Sequence, residues 1–166
     1  MIVVTTGTNE WAFDRLVRLA ARVAGDEDLF MQFGSSTEPH GHGTWVDFVS
    51  FEELEARMRE ARVVITHAGV GSVMLARRCG HRPVVLPRLG KLREAVDDHQ
   101  VELGRRLHAA GLVTFVEDEA EMAAAVRGEV APSVSLMTPQ LAGADALVAD
   151  LRACLSDLGV RRSVAA

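Results

Sequence analysis

The fold expected for this chain is decided by the stretch Val63-Val-Ile-Thr-His-Ala-Gly-Val-Gly-Ser72. Residues 63–66 predict a short, fully apolar strand, and the glycine-rich turn after it leads directly into a helix. Such a turn leaves backbone N–H groups free at the positive end of the helix dipole. The arrangement therefore predicts an anion site, most often a site for phosphate.

Strand–turn–helix units recur on both sides of this stretch. Five further strands are predicted by apolar, β-branched runs at 2–6, 29–33, 45–49, 83–86 and 113–116. Helical patterns lie between them, beginning with residues 11–24, and Ser50 with Glu53 forms a capping box. Six alternations predict an α/β fold, a Rossmann-like six-stranded parallel sheet with helices on both faces. Ligands in such sheets bind at the carboxyl ends of the strands, where the turns after Thr6, Phe33, Thr66 and Leu86 lie.

The chain divides at one place only. Residues 1–127 form the predicted Rossmann-like domain, and 128–143, with two prolines, read as a linker. Residues 144–166 contain a predicted amphipathic helix, 144–158, whose leucine-lined face packs on the core or docks on a partner.

Composition excludes several classes of protein. The 166 residues carry a net charge of −5, so there is no basic surface typical of nucleic-acid binding. Cys79 and Cys154 are expected to be buried thiols in a reduced compartment. Without a signal peptide or a membrane-spanning apolar run, a cytoplasmic location is expected. The His40-Gly-His42 fragment lacks further metal ligands, so a solvated loop is favoured over a metal site.

Two of the turns carry a recognisable pattern. The turn at 67–72 and the segment Asp97-Asp98-His99-Gln100 follow one another with one strand between them. Together they resemble the C-terminal, donor-binding half of family 28 glycosyltransferases, which is half of a GT-B fold. Small stand-alone versions are most similar: the soluble subunits of two-part enzymes that make lipid-linked oligosaccharides or exopolysaccharides. The resemblance covers residues 1–127.

The resemblance implies a donor site for a nucleotide sugar. Gly7 and Thr8 match the first glycine-rich loop, which faces the diphosphate or the acceptor. The loop around the diphosphate is matched by His67, Ala68, Gly69, Val70, Gly71 and Ser72. No obligatory metal or other cofactor is expected, because helix N-termini and a cation can neutralise the leaving group and the chain has no Asp-x-Asp pair.

A second group of implied donor residues follows the fifth predicted strand. Asp98 and Gln100 match a pair near the hydroxyls of the donor sugar, and His99 either contacts a phosphate or braces its loop. Arg88 and Glu94 match an Arg…Glu pattern of the exopolysaccharide branch. Alternatively, Asp98 has only the structural role of capping the next helix, a position that Asp97 could also take.

One departure from the family pattern concerns the ribose. Many relatives place a glutamate on the helix after the glycine turn to hold the ribose hydroxyls, whereas this chain has Leu75 there. Ribose recognition must differ, with Glu94 or backbone groups as substitutes, and the preference for uridine is implied only by analogy.

The resulting hypothesis is the donor-binding subunit of an inverting, UDP-sugar-dependent glycosyltransferase. A membrane-associated partner would hold a lipid-linked sugar acceptor and would recruit this protein to the membrane. The general base stays unknown: His67 and Glu94 are weak candidates, with His67 favoured as a positioning residue. The alternative is a non-catalytic nucleotide-sugar-binding or scaffold protein of polysaccharide assembly. A dinucleotide oxidoreductase is disfavoured because the first turn lacks Gly-x-Gly-x-x-Gly.

Overall fold

A computed structural model describes residues 1–38 and 41–129 of the protein. Its strands are β1 Ile2–Thr5, β2 Leu29–Gln32, β3 Thr44–Val46, β4 Val63–His67, β5 Val84–Leu86 and β6 Thr114–Phe115. Its α-helices are α1 Asp14–Ala24, α2 Phe51–Glu60, α3 Val70–Arg78, α4 His99–Ala109 and α5 Glu119–Val126, with a short 3-10 turn at Gly90–Leu92. The six strands form one sheet in the order β3-β2-β1-β4-β5-β6.

Every strand pair in this sheet is parallel, which confirms the predicted Rossmann-like architecture. The chain builds outward from β1 to β3 and then returns to place β4 on the other side of β1. The loops after β1 and β4 therefore diverge from neighbouring strands at the topological switch point, where open α/β sheets bind their ligands.

Helices cover both faces of the sheet because residues along each strand alternate in direction. Ile2 and Val4 of β1 belong to a core cluster that also contains Leu16 of α1 and Met122 of α5. Val3, between them, belongs to the cluster on the other face, where the side chains of α2 and α3 pack. A third cluster joins β5 to α4.

Two predicted boundaries differ from the structure by more than one residue. α1 begins at Asp14, not at residue 11, because the Asn9 side chain accepts the Trp11 N–H (2.9 Å) and Phe13 occupies the N-cap position. β3 ends at Val46, not at residue 49, since the Asp47 carboxylate accepts the next N–H (2.7 Å) and turns the chain. In both cases a polar side chain bonds to the nearby backbone and sets the boundary of the element, although the apolar pattern of the sequence extends beyond it.

Other predictions concern the caps and the C-terminal region. Ser50 accepts the Glu53 N–H, as predicted, at the start of α2. At α4, Asp98 holds the N-cap position without a capping hydrogen bond from its side chain. Cys79 is a free, partly buried thiol. Cys154, the predicted helix at 144–158 and the linker after Glu129 lie outside the described residues, so the domain boundaries stay predictions. None of the helices in 1–38 and 41–129 has the length and apolarity that crossing a bilayer requires.

Candidate functional site

The candidate site lies where β1 and β4 end side by side. Thr5 pairs with Thr66 in parallel register, so the chain leaves both strands at the same edge of the sheet. The loop after β1 contributes Gly7 (φ +79) and Thr8, and β4 runs into the glycine turn. The structure thus brings together the two glycine-rich loops that the sequence places sixty residues apart.

The His67 imidazole fills the space between these two loops. A Cβ atom added to Gly7 would lie 2.4 Å from His67 Nε2, and one added to Gly69 would lie 2.0 Å from His67 Cε1. Both distances are far inside van der Waals contact, so a side chain at either glycine would have to displace the ring. On its open side the ring nitrogen Nε2 lies 3.1 Å from the Ser72 hydroxyl. His67 therefore links the loop after β1 to the first turn of α3.

The surroundings of His67 keep its ring neutral at physiological pH. Burial, as the larger cause, and the positive charge of Arg88 together lower the pKa of His67 from 6.5 to about 4, while the neighbouring Gln100 side chain opposes the shift. A neutral ring can donate from one nitrogen and accept at the other, which suits positioning of Ser72. It is a poor general base at neutral pH, because its pKa of about 4 lies well below that pH.

The first turn of α3 presents backbone donors at this point. Gly69 is the N-cap and has no side chain to cap the helix. The Val73 N–H donates to the Gly69 carbonyl (3.1 Å), so the N–H groups of Val70, Gly71 and Ser72 come before the regular helical hydrogen bonds. A Cβ at Gly71 would meet nothing within 4 Å. This open, positively polarised helix end is suited to an anion.

A cavity of about 530 Å³ opens in front of the helix end. Its floor includes Gly7, Thr8, His67, Gly71 and Ser72, all predicted from the sequence. The other lining residues are Thr5, Asn9, Gln32, Val49, Ser50, Phe51, Leu54 and Leu75. The volume lies within the range usual for sites that hold a small organic ligand.

Most of the additional lining residues come from elements that sequence analysis did not associate with the site. Gln32 ends β2, next to β1, and its side-chain oxygen accepts from the Thr5 hydroxyl (3.1 Å). Val49 just before α2, with Phe51 and Leu54 at its start, gives the cavity an apolar wall. Ligands bind at the carboxyl ends of parallel strands, and this rule located the glycine turns. The same rule, applied to the ends of β2 and β3, could have found these residues.

Leu75 belongs to this apolar wall. It is 5% exposed, packs in the cluster with Met58 and Phe30, and lines the cavity next to the glycine turn. The position that the family resemblance associates with a ribose-binding glutamate is therefore an apolar contact surface in this protein.

Arg88 lies beneath the loops, not in the cavity. It is 1% exposed, and its guanidinium donates to the carbonyls of Thr6 (2.8 Å), Trp11 (2.7 Å) and Glu94 (2.9 Å). The same group stacks over the Phe13 ring, 4.6 Å from its centroid. Burial lowers the pKa of Arg88, and the Glu94 carboxylate opposes that effect. These contacts favour a structural role; direct contact with a donor stays a prediction.

Glu94 is also occupied by contacts within the protein. Its two carboxylate oxygens accept from Arg15 Nε (3.0 Å) and Nη2 (2.9 Å), and one of them also accepts the Leu89 N–H (3.0 Å). The side chain is 7% exposed. A carboxylate held in this way has little freedom to take a proton from an acceptor or to bind a ribose, so the geometry favours a structural role here too.

The Asp-Asp-His-Gln segment divides between surface and interior. The Gln100 carboxamide is buried and accepts the Arg88 N–H (3.2 Å), and its side chain also influences the neighbouring His67 ring. Asp98 is exposed and accepts the Gly90 N–H (2.7 Å). His99 is exposed and contacts Asp97 through its ring nitrogen and its backbone N–H. None of these three lines the cavity, and their predicted contact with a donor sugar stays a prediction.

No group of three His, Cys, Asp or Glu side chains within 1–38 and 41–129 is placed to hold a metal ion. His42 is exposed, while His40 lies outside that part of the chain. That the donor is bound and transferred without an obligatory metal ion stays a prediction.

Comparison with known proteins gives two matches. A UDP-N-acetylglucosamine transferase subunit ALG13 of Yarrowia lipolytica (strain CLIB 122 / E 150) is 30% identical over 122 residues, which is 64% of this chain and 60% of the relative. The chain thus spans less than two thirds of that relative's length. The sequence pattern of the Glycosyltransferase family 28 C-terminal domain matches residues 1–149. By that match, which covers all six strands, the chain belongs to the family of glycosyltransferase family 28 C-terminal domains.

Proposed function

We propose that this protein binds a nucleotide sugar, with a UDP-sugar favoured, and is the donor-binding subunit of an inverting glycosyltransferase. The observation that carries the proposal is the position of the glycine turn: the N-terminus of α3, held by His67, opens into the 530 Å³ cavity. The family membership and the name of the relative, a UDP-N-acetylglucosamine transferase subunit, support the same conclusion. The sugar itself is not specified by these observations.

The diphosphate is proposed to lie against the first turn of α3. Backbone N–H groups of Val70, Gly71 and Ser72 point their donors at that position. The buried charge of Arg88 adds a positive field, the same field that helps to depress the pKa of His67. Because these charges and dipoles are held in place by the fold, they stabilise a departing nucleoside diphosphate without reorganisation during the reaction.

The nucleoside is proposed to occupy the apolar side of the cavity. Val49, Phe51, Leu54 and Leu75 offer a surface against which a base or ribose can pack. With Leu75 in place of a glutamate, ribose hydroxyls would depend on polar neighbours such as Ser50 or Gln32, which share the cavity. Packing plus a few polar contacts is the usual composition of a small-molecule site.

The acceptor half is proposed to come from another protein. His67 has a pKa of about 4 and Glu94 is bonded to Arg15, so neither weak candidate is well placed as the base for an acceptor hydroxyl. A membrane-associated partner subunit would supply that base and a lipid-linked sugar acceptor at the cytoplasmic face of the membrane. Polysaccharide or lipid-linked oligosaccharide synthesis is the proposed setting.

Binding can be tested by isothermal titration calorimetry of the purified chain with UDP, UDP-sugars and, for comparison, GDP. We expect saturable binding of UDP that does not require a divalent ion. Gly71→Ala should weaken this binding without loss of stability, because its Cβ enters space that is empty in the protein and that the diphosphate would occupy. Arg18→Gln on α1 is the matched control and should bind UDP normally. Absence of saturable UDP binding by the unmodified chain would refute the proposal.

A non-catalytic role is the alternative. It is favoured by the contacts within the protein that already engage the side chains of His67 and Glu94. Co-expression with the candidate partner and measurement of sugar transfer to a lipid-linked acceptor separates the two. Transfer that disappears in the Gly71→Ala variant supports a catalytic subunit. UDP binding without transfer by any partner complex supports a sensor or scaffold.

A further inference from the structure

Gln32 brings an unused hydrogen-bond donor to the floor of the cavity. Its side chain is 2% exposed, yet it lines the cavity at the end of β2. The carboxamide oxygen Oε1 accepts from the Thr5 hydroxyl (3.1 Å), but no described residue accepts a hydrogen bond from the carboxamide nitrogen Nε2. This nitrogen is not among the fully enclosed atoms that lack a partner, so the space it reaches is the cavity.

The neighbours of Gln32 determine which end of its carboxamide faces the cavity. The Thr5 hydroxyl oxygen accepts the Gly7 N–H (3.1 Å), so the hydroxyl proton is left to donate to Gln32 Oε1. If the carboxamide were turned over, that proton would have no acceptor among the described residues. The chain of bonds from Gly7 through Thr5 to Gln32 therefore keeps the two N–H groups of Nε2 on the cavity side.

A buried amide nitrogen with this surrounding selects what can lie against it. A buried donor without an acceptor loses the hydrogen bond that it makes in water, and that loss destabilises the complex. The nearby wall formed by Val49, Leu54 and Leu75 is apolar and supplies no side-chain acceptor. A bound ligand must therefore place an oxygen acceptor at this point, because an apolar group there would leave the amide unsatisfied.

Gln32 lies between the two parts of the cavity that the proposed function assigns to the diphosphate and to the base. β2 is next to β1 on the side away from β4, so Gln32 is one strand further than Gly7 from the N-terminus of α3. On its other side, β3 leads to Val49 and to Phe51 at the start of α2. A nucleoside diphosphate with its phosphates on α3 and its base against Val49 and Phe51 would therefore bring its ribose to Gln32.

Two other residues that line the cavity are less suited to hold the ribose hydroxyls. Leu75, on α3, has no polar atom in its side chain. The Ser50 hydroxyl accepts the Glu53 N–H (3.1 Å) as the cap of α2, and Ser50 is exposed, so a ligand contact there competes with water. Gln32 is buried and its nitrogen is unpaired, and a hydrogen bond in such surroundings is stronger than one at the surface.

We propose that Gln32 is the ribose-recognising residue of the site: Nε2 donates to the 2′- or 3′-hydroxyl oxygen of a bound nucleoside diphosphate. The contact favours ribonucleotides over their deoxy counterparts, so Gln32 determines specificity and has no part in the transfer chemistry. Thr5 acts through Gln32 and is a positioning residue. This inference rests on the proposed function, because it takes a nucleoside diphosphate as the ligand.

The test is isothermal titration calorimetry of the purified chain with UDP, 2′-deoxy-UDP and 3′-deoxy-UDP. We expect the unmodified chain to bind one of the deoxy compounds roughly tenfold more weakly than UDP, which is the size of one lost hydrogen bond between neutral groups. Gln32→Met keeps the length of the side chain but has no donor, and it should bind UDP roughly tenfold more weakly. Its affinities for UDP and for that deoxy compound should be equal.

Thr66→Val is the matched control for Gln32→Met. Thr66, Thr5 and Gln32 are paired across the sheet, and the Thr66 hydroxyl is buried without a partner, but Thr66 does not line the cavity. This variant should keep both the affinity for UDP and the preference over the deoxy compound. Thermal unfolding by circular dichroism checks that both variants are folded.

A measurement on the unmodified chain keeps the inference testable if Gln32→Met does not fold. In ¹H–¹⁵N correlation spectra, the side-chain NH₂ signals of Gln32 should shift when UDP is added and should shift less with the discriminated deoxy compound. Signals of Gln32 that stay in place at saturating UDP would overturn the inference.

The calorimetric outcomes separate this inference from the proposed function. Absence of UDP binding by the unmodified chain refutes both. Binding of UDP and of both deoxy compounds with equal affinity overturns the ribose contact and leaves the proposed function standing. An equal loss of affinity of Gln32→Met for all three compounds also overturns the ribose contact, because Gln32 would then support the cavity without touching the ribose.

Discussion

The glycine turn after β4 and the segment between β5 and α4 lie at the same edge of the sheet, yet their side chains are used in opposite ways. In the turn, backbone N–H groups and the His67–Ser72 pair face an open cavity. In the segment, Arg88 and Glu94, together with Gln100 in the first turn of α4, turn inward and bind the protein's own backbone and side chains. Charged and polar residues at this edge of the sheet can therefore hold the loops of the candidate site in place without lining its cavity.

The difference has a physical origin. Backbone donors at a helix N-terminus have no partner within their own helix, so they stay available to a ligand. A buried guanidinium must instead satisfy its donors locally, because an unpaired charge in the interior costs several kcal/mol. Arg88 does this through its two Nη atoms, which donate to carbonyl groups of the loops that a ligand would approach, whereas its Nε has no hydrogen-bond partner among the described residues.

The sharpest way to break the comparison is to remove Arg88. We expect Arg88→Met to lower the free energy of unfolding by about 3 kcal/mol or more, because buried carbonyls lose their donors. Arg93→Met, on the same loop but exposed and unpaired, should change it by less than about 0.5 kcal/mol. Urea unfolding measures both. An Arg88→Met protein of normal stability that no longer binds UDP would instead give Arg88 a direct role in the site.

Gly69→Ala tests the turn itself. The new Cβ would lie 2.0 Å from the His67 ring, so the ring must move and its contact with Ser72 is lost. The expected loss of stability is about 1 to 3 kcal/mol, as for overpacking of a filled space. Gly71→Ala, two residues on in open space, should leave the thermal midpoint unchanged. Equal thermal midpoints for Gly69→Ala and Gly71→Ala would contradict the position of the His67 ring against Gly69.

The pH dependence of stability sharpens the comparison further. The unfolded chain protonates His67 near its usual pKa of 6.5, whereas the folded protein does so only near 4. The unfolded state therefore binds more protons in this window, and stability falls as pH drops through it. Between pH 7 and pH 5 the contribution of His67 to the loss should be about 2 kcal/mol. Urea unfolding of His67→Asn at both values should show a smaller decrease; an unchanged slope would remove His67 as the cause.

The smallest expected effect concerns two helix caps of identical design. Ser50 caps α2 at the cavity and Asp118 caps α5 far from it, each accepting the N–H three residues on (3.1 and 2.9 Å). Replacing either by alanine should cost about 1 kcal/mol of stability. Only Ser50→Ala should also alter UDP affinity in calorimetry. A matching effect of Asp118→Ala on affinity would mean that stability, and not contact, governs binding.

Sequence analysis placed the candidate site by its edge and its turn, and in the structure Gly7 and the turn at 67–72 do meet at one cavity; binding of a donor there stays a prediction. It did not find Gln32, Val49, Phe51 or Leu54, because their contribution depends on which strands are neighbours in the sheet. It also could not assign orientation to Arg88 and Glu94. Whether a charged side chain faces a cavity or the protein depends on which carbonyls and cations the fold brings within reach.

The sequence by itself determined the six alternations of strand and helix, the parallel sheet and the position of the glycine turn that is proposed to bind an anion. Periodicity, glycine and capping residues act over a few neighbours in the chain, so they can be interpreted without coordinates. Only the tertiary structure decided that His67 is wedged between Gly7 and Gly69, that Arg88 joins two loops, and that Leu92 and Val96 stay exposed. These features arise from contacts between distant parts of the chain, which packing alone brings together.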